Sequence, residues 1–99
     1  MSNSFVNPEI VRRFDELIAE GDKQHKEAKN GKVANEIMAA KWVTSSLNLL
    51  DKLSVSSNRF VEEFEHWVPN ERMPYNVNFA AALGVLMAAR EEYIQGLCN

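Results

Sequence analysis

Six residues separate Arg59 from His66. On a helix of 3.6 residues per turn this sets them two turns apart on one face, within reach of a common phosphate. The chemistry would be phosphodiester cleavage, the histidine handling a proton while the arginine stabilises charge developing on phosphorus. Glu62 lies four residues before His66 on the same face, a pairing used in carboxylate-bridged metal sites, which need the motif twice on facing helices. No second copy occurs, and no CxxC, HExxH, P-loop or G-x-G-x-x-G pattern is present. Glu62, Glu63 and Glu65 therefore read as a solvated acidic face, and neither a metal nor a cofactor is expected. Ser45, Ser46, Ser56 and Ser57 lack a glycine elbow and read as caps and surface residues, while Cys98 has no histidine beside it.

A second set of residues is suited to contact. Trp42, Trp67, Phe60 and Phe64 could stack nucleic-acid bases, but their helical spacing and acidic neighbours favour core packing or a protein interface. Trp67, at the end of its helix, is the best candidate for a partly exposed anchor. Ala80, Gly84 and Ala88 sit four apart, a stripe that lets another helix approach closely. A glycine inside a helix costs roughly 1 kcal/mol relative to alanine, and a tight crossing is one reason to tolerate it. Trp42, Trp67, Ala80, Gly84 and Ala88 are thus the expected interaction residues, with Arg59 and His66 the alternative catalytic pair.

Four helices, at about 8–30, 32–53, 57–68 and 77–96, are needed to position these residues. Asn7 caps the first, with Pro8 at its first position and Glu9 near the positive dipole end. Ile10, Phe14, Leu17, Ile18 and Gly21 form its apolar line, which His25 and Ala28 continue, and Asn30-Gly31 stops it. In the second, Val33, Ile37, Ala40, Thr44 and Leu47 make one stripe; Met38, Trp42, Leu49, Leu50 and Leu53 widen it, so this helix should be central. The third, capped by Ser56 or Ser57, carries Phe60, Phe64, Trp67 and Val68. Pro69 and Pro74 bracket the longest loop, and the fourth carries Phe79, Leu83, Leu86, Met87, Ile94 and Leu97. Alternation of period two is nowhere sustained. The expected fold is all-α, a small antiparallel four-helix bundle forming a single domain.

Composition agrees with that scale. The 99 residues, 45% hydrophobic and 25% charged, suffice for one domain and not for two. Such a domain buries only about two-thirds of the surface its unfolded chain exposes, so a partner surface could supplement its stability. The net charge is -3, and no half of the chain is basic, which disfavours a surface devoted to nucleic acid. A single cysteine, no run of 18 apolar residues and the polar start Met1-Ser2-Asn3-Ser4 make a cytoplasmic protein without a membrane partner the expectation.

Two resemblances follow from these residues. The Arg59–His66 spacing resembles the loose Arg-x(4–6)-His signature of HEPN ribonucleases, small all-α proteins that usually act as dimers with a composite site. The more specific form of that motif has a polar residue directly after the arginine, where this chain has Phe60. A longer match runs through 17–21, 41–50, Ser57, Phe60, Phe64 and 82–97. In order and spacing it is similar to a helical module placed before effector domains in prokaryotic abortive-infection and restriction-type defence proteins. That resemblance implies a non-catalytic domain that senses, dimerises or positions a neighbouring effector, and it transfers no catalytic residue. The chain departs from the pattern at Asn99, where the effector would begin. The leading expectation is a protein-interaction or oligomerisation module, regulatory in antiphage defence, whose partner is a second copy or another protein. A HEPN-like dimeric ribonuclease and an unrelated helical adaptor are the alternatives.

Overall fold

The computed structural model describes residues 6–53, 59–68 and 76–95. The described residues form four helices: α1 (Pro8–Glu27), α2 (Glu36–Leu50), α3 (Arg59–Trp67) and α4 (Asn76–Ile94). The protein is an all-α bundle, without strands among the described residues. Ser54, Ser56, Ser57, Pro69, Pro74, Leu97 and Cys98 lie outside those residues, as do the expected start of the third helix and the end of the fourth.

α1 begins as its sequence requires. The Asn7 side chain accepts from the Glu9 N–H at 2.9 Å, satisfying one of the free amides of the first turn, and Pro8 occupies a position where no donor is needed. The Asn7 N–H donates to the Tyr93 hydroxyl at 2.8 Å, tying the start of α1 to the end of α4.

The α1–α2 connection is longer than the sequence spacing predicts. Asn30 (φ 55°) and Gly31 (φ 77°) are both left-handed, but they form the centre of a two-residue turn instead of capping a helix. Lys29 and Lys32 exchange backbone hydrogen bonds across it, at 2.9 and 3.0 Å. Asn-Gly suits such a turn because both central residues need positive φ. α1 therefore ends at Glu27, not near residue 30. α2 starts at Glu36, not near residue 32, because Asn35 is its cap and accepts from the Met38 N–H at 3.0 Å. It also ends three residues early, at Leu50.

The buried face of α2 follows most of the second set of apolar residues its sequence offers, but Met38 of that set is 43% exposed, and Val33 of the first set, ahead of the helix, is buried. Ala39, Trp42, Ser46, Leu49 and Leu50 point inward, with Leu53 beyond the helix end, while Ile37, Ala40 and Thr44 face out. Ile37 is 81% exposed. Ser46 interrupts the inward run with a polar residue and disguises it; far from being a surface serine, it is fully buried. Similarly, the inward line of α1 passes from Leu17 and Gly21 to Gln24, the i, i+4, i+7 continuation, rather than to His25.

Antiparallel packing of α1 against both α2 and α4 is fixed by paired contacts. Leu17 meets Trp42 while Gln24 meets Met38; Phe14 and Tyr93 rings lie 6.2 Å apart, Asp15 pairs with Arg90 at 2.7 Å, and Gly21 faces Leu83. Trp42 of α2 is the common neighbour of the other three helices. Its indole N–H donates to the Leu17 carbonyl at 2.7 Å, and its ring lies 5.4 Å from Phe64 and 4.4 Å from Phe79. Against α1 it meets bare backbone: a Cβ at Gly21 would lie 2.8 Å from Trp42 Cζ2 and 2.9 Å from Leu83 Cδ1.

The two helical glycines should therefore respond oppositely to alanine. Gly21→Ala overpacks the core and should lower unfolding stability by about 1–3 kcal/mol. Gly84→Ala meets nothing within 4 Å and should raise it by roughly 1 kcal/mol through helix propensity. Urea denaturation of both variants checks the pair of signs.

Candidate functional site

On α3, Arg59, Glu62, Glu63, His66 and Trp67 line one shallow depression of about 440 Å³. The structure thus brings the alternative catalytic pair onto one face, as the spacing predicts. The surroundings do not favour a phosphodiester. Glu62 and Glu63 lie between the arginine and the histidine along the helix, where their charges repel phosphate. Among the described residues all the lining side chains come from α3, and no second described element encloses a substrate. His66 packs edge-on against Trp67, with centroids 4.9 Å apart at 82°. Among the described residues no group of three or more His, Cys, Asp or Glu is gathered to hold a metal ion.

The expected interaction residues divide. Trp42 is 2% exposed and belongs to the core, where its ring and N–H are both engaged. This corrects the expectation that placed it with the contact residues: the apolar stripe it belongs to is the inward one. Trp67 is half-buried at the end of α3 and remains accessible.

Ala80, Gly84 and Ala88 lie on the side of α4 away from Phe79, Leu83 and Leu86. Gly84 and Ala88 are exposed, Ala80 is half-buried, and no other part of the described chain comes near Gly84. The close helix crossing that the stripe allows is therefore not made within the bundle. Met87, expected in the core, lies on this outer face at 49% exposure, and Ile94 lies at its end at 36%. Both are expelled because Ala82, Ala89 and Tyr93 share the inward side with Phe79 and Leu86, filling it with smaller side chains and a ring. The result is a helix apolar on both faces, one of them uncovered by the described residues.

No helix among the described residues is long and apolar enough to cross a membrane. Comparison of the chain with protein-family models, curated proteins and solved structures returns no match.

The tryptophans give a direct check on these placements. Trp42→Ala should cost about 3–5 kcal/mol of unfolding stability, as expected for removal of a large buried ring. Trp67→Ala should cost less than half as much. Thermal or urea unfolding of the two variants reads the difference; equal losses would mean that Trp67 is as much a core residue as Trp42.

Proposed function

We propose that the chain is a non-catalytic helical module that works by binding protein, and that a second copy of itself is its first partner. The observation that carries this reading is the outer face of α4, where Gly84, Met87 and Ala88 are exposed beside half-buried Ala80 and no part of the described chain covers them. Small side chains at four-residue spacing let a facing helix approach closely, and Met87 supplies an adaptable apolar side chain at the same place. Apolar surface of this kind on a small domain is a contact surface or a liability, and a partner that covers it adds to a narrow stability margin. A regulatory role in antiphage defence rests on the resemblance to the effector-preceding module and on nothing else, while a cytoplasmic setting rests on the single cysteine and the polar start of the chain. An unrelated helical adaptor would use the same face.

A second reading keeps one specific observation. Arg59 and His66 share a depression, as a HEPN-like ribonuclease would require. In such a dimer the partner copy would have to supply the walls that α3 alone lacks, and Glu62 and Glu63 would have to be turned from the phosphate.

Light scattering over a concentration series tests the first reading. The mass should rise from 11.3 kDa towards twice that value, and Met87→Glu should return it to the monomer while keeping the melting temperature that the wild-type chain has at concentrations where it is monomeric. A monomer at every concentration removes self-association. For the second reading, total RNA is incubated with the wild-type chain and with His66→Ala. The proposed non-catalytic role predicts equal background from both; cleavage lost only in the variant would establish the enzyme.

A further inference from the structure

Apart from the α4 face, the fold carries a groove between α1 and α2. It consists of three adjoining depressions of about 250, 300 and 210 Å³. The first two share Glu20, Gln24 and Met38, and the second and third share Arg13 and Ser45. Together they follow α2 from Asn35 to Leu49, roughly 21 Å at 1.5 Å per residue, which is the length of a four-turn helix.

Gln24, at the junction of the first two depressions, carries an unmet hydrogen-bonding need. The residue is 7% exposed, and its Nε2 donates to Glu20 Oε2 at 2.8 Å and to the Met38 carbonyl at 3.4 Å. Its Oε1 is buried without a hydrogen-bond partner. A buried acceptor left empty destabilises the fold, and a donor brought by a ligand relieves it. Beside it Met38 is 43% exposed, an apolar landing point over the Leu17 and Trp42 floor.

The two rims differ in charge. Along α2 the groove is lined by Lys41 and, past the helix end, Lys52, with no carboxylate on that side. Neither lysine has an ion-pair partner among the described residues. Along α1 the cation Arg13 is already held by Glu16 at 3.1 Å, and the single charge of Lys23 is outnumbered by those of Glu20 and Glu27. Those carboxylates disfavour a nucleic-acid backbone, while the α2 rim calls for acidic groups.

From these features we infer that the α1–α2 groove is a docking site for an acidic amphipathic helix of a partner protein. Its apolar stripe lies over Met38, its Asp or Glu residues face Lys41 and Lys52, and a side-chain donor reaches Gln24 Oε1. Helix-in-groove binding of this kind reads anchors at i, i+3, i+4 and i+7. The surface is separate from the outer face of α4, so the inference stands or falls independently of self-association.

The test pans a displayed library of random 18-residue peptides on the full-length chain, then titrates the enriched peptides into ¹⁵N-labelled protein. Acidic helical sequences should be enriched, and the shifts should concentrate at the Trp42 indole N–H and the Gln24 side-chain amide. Lys41→Glu with Lys52→Glu, both exposed positions, should weaken binding at least tenfold. Gln24→Met should weaken it at least threefold, with a melting temperature within a few degrees of wild type separating lost recognition from lost folding. Absence of enrichment, enrichment of basic peptides, shifts confined to α4, or binding unaffected by the lysine reversals would each overturn the inference.

Discussion

The contact on which the bundle depends is the seating of the Trp42 ring against the bare backbone of Gly21. A tryptophan buried to this degree must satisfy its N–H, and it does so on the Leu17 carbonyl one turn before Gly21. That bond and the missing Cβ together fix how closely α1 and α2 approach and at what register. From the same ring the chain reaches α3 through Phe64 and α4 through Phe79. Leu83 closes on Gly21 from the other side, so α4 is held by the same small residue. Antiparallel α1–α4 pairing then follows along the length of the helices, through Arg90 with Asp15 and Tyr93 with the start of α1.

This arrangement decides what is left outside. Because α2 turns Trp42, Ser46 and Leu49 inward, Ile37 and Met38 are put on the surface. Because α4 uses Phe79, Ala82, Leu86 and Ala89 inward, Gly84, Met87 and Ala88 are put there too. Neither helix has a fully polar outer face, whereas α1 carries Arg12 between Glu9 and Glu16 and other exposed ion pairs. The uncovered apolar surface is thus concentrated on α2 and α4, and it is a consequence of packing rather than of any motif. The candidate catalytic pair, by contrast, sits on a helix face whose neighbouring charges are of the wrong sign for its substrate.

The helices and their number were legible from periodicity, and the start of α1 from its cap residues. Less of the inward and outward assignment was. A helix apolar over much of its circumference does not say which side is inward, and only the partner helices choose; in α2 the inward side includes Ser46, a polar residue that periodicity does not count. Asn30-Gly31 was readable as left-handed, but cap and two-residue turn need the same residues, and the choice depends on Asn35 capping α2 further on. Gln24 was passed over because glutamine on an apolar line is unexpected, although its spacing from Leu17 and Gly21 was the available signal. Of the contact residues, Trp42 could not be told from a surface anchor without knowing which ring the glycine of α1 would meet.

The core closes around Trp42 while the described residues leave the outer face of α4 uncovered. The most direct measurement follows amide resonances of the ¹⁵N-labelled chain from micromolar to millimolar concentration. The account predicts that Gly84, Met87 and Ala88 shift together as concentration rises while the Trp42 indole signal stays fixed. It is contradicted if the α4 signals remain unchanged throughout, or if the Trp42 signal moves with them, because the ring would then be part of the contact and not of the core.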